Sequence, residues 1–171
     1  MKTWEIVPFT SVGPVRFGMS RSGARHLLGE HFSTFRKTPQ SQSETDAYDS
    51  LGLHLHYDCE ERLIFAEAFA QCGVTLEGVS FMSRPLAEAI QEMASIGQSA
   101  IYDGSSCYCF EKIGVILCVT YSENTIESIG VSARDHFKDY MTLWKELEEK
   151  RRLREERRKS RPPVKNPFLS E

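Results

Sequence analysis

The chain has 171 residues, 40% hydrophobic and 26% charged, with a formal net charge of −3. That length suits one ordinary domain or two small subdomains sharing a core and excludes a large multidomain enzyme, while the charged fraction excludes disorder throughout. No apolar run approaches the roughly 20 residues that cross a bilayer, and Glu5 and Pro8 interrupt any basic-then-apolar leader, so a cytosolic protein with no membrane partner is expected.

An opening strand is predicted over 4–9. Ser20 then suits the N-cap of a helix whose apolar stripe is Ala24, Leu27 and Leu28, with Gly23 weakening it and Gly29 ending it. Strands follow at 33–38 and 45–50, separated by the polar loop 39–44. Leu51, Leu53, Leu55 and Tyr57 alternate with Gly52, His54, His56 and Asp58, the period of a half-buried strand. After the turn Asp58-Cys59-Glu60-Glu61, another strand is predicted over 62–69. The second helix takes Ser83 as its cap and Pro85 in its first turn, with Leu86, Ala89, Ile90, Met93 and Ile96 on one face. Strands at 99–103, 106–112 and 125–132 are predicted around a further one bearing Ile113, Val115, Leu117 and Val119. Short turns between neighbours favour antiparallel hairpins.

These elements repeat. Tyr48-Asp49-Ser50-Leu51-Gly52-Leu53-His54-Leu55 aligns with Phe110-Glu111-Lys112-Ile113-Gly114-Val115-Ile116-Leu117 at an offset of 62, and Met19-Ser20-Arg21 aligns with Met82-Ser83-Arg84 at 63. The expected fold class is therefore α+β, a tandem repeat of a short helix followed by an antiparallel sheet. The expected boundaries are 1–72 for the opening strand and first repeat, 73–133 for the second, 134–161 for a C-terminal charged helix and 162–171 for a flexible tail.

Charge is unevenly distributed. Residues 1–137 carry 10 Lys and Arg against 17 Asp and Glu, whereas residues 138–165 carry 11 against 6. Within the basic region, Phe137, Tyr140, Met141, Trp144 and Leu147 fall at helical spacing and are expected to dock on the body. Beyond them Glu146–Lys150, Glu148–Arg152 and Glu155–Lys159 stand at i,i+4, which supports a solvated helix until Pro162-Pro163. The same arginines, Arg151, Arg152, Arg154, Arg157 and Arg158, could contact a partner or nucleic-acid phosphates. An acidic body instead favours a basic protein partner, through faster association.

The run Val12-Gly13-Pro14-Val15-Arg16-Phe17-Gly18-Met19-Ser20, entering a helix that ends Leu27-Leu28-Gly29, resembles the opening of the β-lactamase-inhibitor-protein-like fold. Small outer-membrane assembly lipoproteins share that fold. The resemblance spans about residues 12–132 and implies tandem helix-plus-sheet repeats that bind an enzyme on the concave sheet face. This chain departs from the pattern at Gly23 and Ala24, where an acidic-plus-aliphatic pair is usual. It also lacks the glycine before Met82 and any lipoprotein cysteine, and it gives no support to a β-lactamase as target.

Chemistry-bearing motifs are few. His54-Leu55-His56 puts two imidazoles on one strand face, and Cys107, Cys109 and Glu111 share a face of a neighbouring strand, so a metal-dependent hydrolase is one reading. Four-ligand zinc spacing is missing, however, and no metal or cofactor is expected. Cys59, Cys72, Cys107, Cys109 and Cys118 are expected as free thiols in a reducing cytosol, and Cys107-Tyr108-Cys109, as C-x-C, is neither the common redox dithiol nor a zinc knuckle. There is no G-x-S-x-G elbow and no phosphate-binding glycine loop, so no catalytic residue is assigned and a non-enzyme is expected. The preferred site is a sheet face carrying His54, His56, Phe65, Glu67, Phe69 and Tyr108, a mixture of aromatic anchors and polar groups suited to binding protein. The expected function is a small bacterial inhibitor or immunity protein that neutralises a toxin or enzyme, with a nucleic-acid-associated protein acting through the Arg-rich helix as the alternative.

Overall fold

The computed structural model describes residues 3–39, 41, 43–104, 106–120, 122 and 124–159. The expected tail at 162–171, the last residues of the predicted C-terminal helix and the Arg158 side chain lie outside the described residues. The fold is α+β, as expected. Among the described residues the chain opens with β1 (Trp4–Val7), β2 (Ser11–Val12) and β3 (Val15–Arg16), which with β8 (Val74–Thr75) make a small sheet in the order β3-β2-β1-β8. The main sheet has eight antiparallel strands. Its first four are β4 (Ser33–Phe35), β5 (Thr45–Tyr48), β6 (Leu53–Tyr57) and β7 (Leu63–Phe69). The others are β9 (Ile101–Tyr102), β10 (Cys107–Phe110), β11 (Val115–Val119) and β12 (Ile126–Ser132), in the spatial order β4-β5-β6-β7-β12-β11-β10-β9. Each run of four follows a helix, α1 (Arg21–Leu28) or α2 (Leu86–Ser95), and α3 (Arg134–Lys159) follows β12.

Register recurs between the two halves. Asp46 pairs with Leu55 as Tyr108 pairs with Leu117, and Tyr48 with Leu53 as Phe110 with Val115. Both third strands shift register at matching places, His56/Tyr57 and Cys118/Val119. Gly52 and Gly114 both turn the chain at positive φ, 61° and 64°. A Cβ at Gly52 would meet the Cys72 amide and one at Gly114 the Phe9 ring, so both positions require glycine.

The strand alternation divides the sheet into two faces. Leu53, Leu55, Tyr57, Ala66 and Ala68, with Leu117, Ile129 and Val131, form one core with Ala24 of α1 and Leu86, Ala89 and Met93 of α2. The opposite, outer face carries Cys109 and Ile116, buried beneath Phe137 and Met141 of α3.

Ser20 caps α1 as predicted, its hydroxyl accepting the Gly23 amide at 3.1 Å. Ser83 does not cap α2. That helix starts at Leu86 behind Pro85, because Ser83 and Arg84 are tied to β12: the Ser83 amide donates to Ile126 O and the Ile126 amide to Arg84 O, both at 3.0 Å. The corresponding bond in the first half runs from the Leu63 amide to Met19 O, so Met19 is matched by Arg84 and not by Met82.

What pins α1 to the sheet is ionic. Asp46, fully buried on β5, accepts from Arg21 Nη2 and Arg25 Nη2 at 2.8 Å and from Tyr57 Oη at 3.2 Å. Burial alone would raise the Asp46 pKa, but hydrogen bonds from Arg25 and Arg21 outweigh it and hold the carboxyl below its ordinary value. In the second half the corresponding positions are uncharged: Tyr108, Val119 and Leu86 stand where Asp46, Tyr57 and Arg21 do, and all three belong to or pack on the main core.

Two further expectations change. Cys107 and Cys118 are disulfide-bonded, not free, because the β10–β11 register sets them opposite one another. Disulfides belong mostly to oxidising compartments, so this bond does not suit the reducing cytosol from which free thiols were expected. No helix among the described residues is long and apolar enough to cross a membrane. The stripe of α3 also stops early. Phe137 and Met141 are 2% exposed and Trp144 Nε1 donates to Asp103 O at 2.8 Å, but Leu147 is 56% exposed. Trp144 reaches the 103–104 turn at the sheet's edge, and the 26-residue helix, about 39 Å long at 1.5 Å per residue, runs on past it.

Candidate binding face

The outer face gathers five of the six expected site residues. His54 and His56 on β6 stand beside Glu67 and Phe65 of β7, with Phe69 two residues further on. An aromatic–imidazole row runs from β4 across β5 to β6 and β7: the ring centroids of Phe35 and His54 are 5.4 Å apart, and those of His54 and Phe69 are 4.7 Å apart. Phe35 is 38% exposed at the end of edge strand β4. A second group lies closer to α3, with Phe65 set 5.3 Å from His56 and 6.3 Å from His136. Tyr108 is not part of this face. It points to the helix side, packing on the main core and 5.0 Å from Tyr102, because Cys107 and Cys109 occupy the outer face of β10.

Electrostatics distinguish the two histidines. His56 Nδ1 shares a hydrogen bond with Thr45 Oγ1 at 3.0 Å, while its buried Nε2, 3.9 Å from Glu67 Oε2, has no hydrogen-bond partner among the described residues. Burial, then the charge of Lys37, outweigh the attraction of Glu67 and push its pKa down to about 4, so the ring is neutral near pH 7. Burial also lowers the pKa of His136, against the opposing pull of Asp139. Glu67 is held by Lys37 at 3.2 Å and accepts the Ser128 hydroxyl at 3.0 Å. Its negative charge is thereby balanced within the face.

Between the N-terminal turns of α3 and strands β5–β7 lie two adjoining cavities that share His56, Ile64 and His136 as walls. One, of about 280 Å³, is apolar, lined by Phe65, Ile116, Phe137 and Tyr140 with Lys37 at its rim. The other, of about 450 Å³, is polar, lined by Ser43, Thr45, Asp58 and Asp139. Sequence reading missed His136, Tyr140 and Ile64. The spacing of His136 and Tyr140, one turn apart beside Phe137, was the signal for the first two. Ile64 is turned onto this face by the register shift at His56/Tyr57, which no local pattern encodes.

Cys107 is consumed by the disulfide, and Cys109 lies buried beneath α3 with its thiol pushed up to about 11 by burial. Among the described residues no three His, Cys, Asp or Glu side chains converge.

The basic helix is internally paired. Arg151 and Arg152 bond Glu148 and Glu149 at 2.8 Å as i,i+3 pairs, with Arg152 also 4.0 Å from Glu156 at i,i+4, while the expected Glu155–Lys159 pair lies outside the described side chains. Arg151 also packs against Gly104, and Arg154 and Arg157 line a shallow depression with Lys150 and Leu153. The chain matches no protein-family model, and no curated protein or solved structure matches it either.

Proposed function

We propose that this chain is a protein-binding module of the inhibitor or immunity type, working through the part of the outer sheet face that α3 leaves open. The observation that supports it best is the row Phe35–His54–Phe69. It places aromatic anchors on a rigid sheet, flanked by the balanced Lys37–Glu67 pair, the arrangement found at the centre of protein interfaces. The fold supports it too: the recurring register is what two tandem repeats would produce, and their shared sheet offers one continuous surface. The acidic balance of residues 1–137 favours a basic partner, such as a nuclease-type toxin, by steering its approach. Pairing of Arg151 and Arg152 with glutamates of their own helix weighs against the nucleic-acid reading.

The test places a photo-crosslinking residue at Phe69 and, as control, at Glu88 of α2. A partner captured from native cells only at Phe69, and lost when excess unlabelled chain competes but not when a Phe35→Asp chain does, supports the reading. Capture at both positions, or equal competition by both chains, refutes it.

A further inference from the structure

We propose that the paired cavities beneath α3 form a single binding site for a small organic amine, its apolar body among Phe65, Ile116 and Phe137 and its ammonium between Asp58 and Asp139. The inference is independent of the partner reading, since Phe35, His54 and Phe69 line neither cavity. It rests first on shape. The apolar and polar lobes share His56, Ile64 and His136, so a ligand could occupy both, and each volume, about 280 and 450 Å³, is of the small-molecule class.

Charge gives the ligand its sign. Among the described residues the polar lobe presents two carboxylates and no lysine or arginine. Asp58 is held in place by the Glu60 and Arg62 amides, which donate to its Oδ1 at 2.9 and 2.8 Å. Asp139, exposed on the first turns of α3, has no Lys or Arg within ion-pair distance among the described residues. The cation among the described residues lining the other lobe, Lys37, is engaged by Glu67 at 3.2 Å. Two neutral imidazoles line both lobes and can accept from an ammonium without repelling it. An acid of the same size would place its carboxylate against Asp58 and Asp139.

The experiment follows the Ile64 and Ile116 methyl signals and the His56 and His136 ring signals by NMR. The full chain is titrated with one phenylbutyl chain ending in an ammonium, a hydroxyl or a carboxylate. The amine is expected to shift all four residues saturably, with the carboxylate bound at least about tenfold more weakly. Asp139→Asn, a change at an exposed helical position that should leave the thermal melt unaltered, is expected to weaken the amine several-fold and leave the alcohol unaffected. Equal binding of amine and carboxylate would overturn the proposal. So would no saturable shift with amine up to about 10 mM, or an amine affinity indifferent to Asp139→Asn.

Discussion

Lowering the pH from 7 to 5 should destabilise this protein through His56. In the unfolded chain the imidazole takes its ordinary value of 6.5 and is charged at pH 5. In the fold, burial first and then Lys37 hold it near 4, so the folded ring stays neutral at that pH. The unfolded state therefore binds more protons across this interval, and stability must fall as pH falls. Full loss, reached below the folded pKa, is about 3 kcal/mol at 1.36 kcal/mol per unit, of which about 2 kcal/mol is lost between pH 7 and pH 5. Asp46 does not confuse the measurement, because its carboxyl is held below its ordinary value and remains ionised throughout. The assay is urea unfolding at both pH values for wild type and His56→Asn, whose amide keeps a hydrogen-bonding atom near Nδ1 for Thr45. His136 and the other groups titrate in both proteins, so the difference between their pH dependences isolates His56. An equal loss in both would refute a buried neutral His56.

Asp46→Ala should cost about 3–5 kcal/mol in the same assay, because it leaves Arg21, with a side chain only 9% exposed, without its buried partner. Ending the chain after Lys150 should change stability by less than about 1 kcal/mol, since the described residues beyond it are exposed and the pairs they make are surface ion pairs. Ending it before Phe137 removes Phe137 and Met141 as well, at about 1.5–3 kcal/mol each; equal stability of the two truncations would show that α3 is not docked. Thiol titration of the denatured, unreduced protein should find three reactive cysteines, and five after reduction. In the native protein Cys59 should react first, as the exposed free thiol.

Most of the strand and helix pattern was legible because it is local. Leu53, Leu55 and Tyr57 alternate with His54 and His56 whatever lies on either side, and Ser20 can cap α1 from three residues away. The H-x-H pair and the β7 residues Phe65, Glu67 and Phe69 were therefore placed on one face correctly. Tyr108 was not, because β10 is covered on both faces and its run Cys-Tyr-Cys-Phe has no polar side to mark an orientation. Leu147 satisfies the helical stripe as well as Trp144 does, and only the edge of the sheet decides that the first docks on nothing.

The sequence by itself thus determined the periods, the caps that act within one turn and the separation of acidic body from basic helix. Tertiary structure decided everything that depends on which strands become neighbours. It set Cys118 against Cys107, tied Ser83 and Arg84 to β12 so that Pro85 had to open α2, and brought His136 over Phe65 beside His56. Those contacts join residues far apart in the chain, and their energies come from burial and register, quantities that no window of neighbouring residues contains.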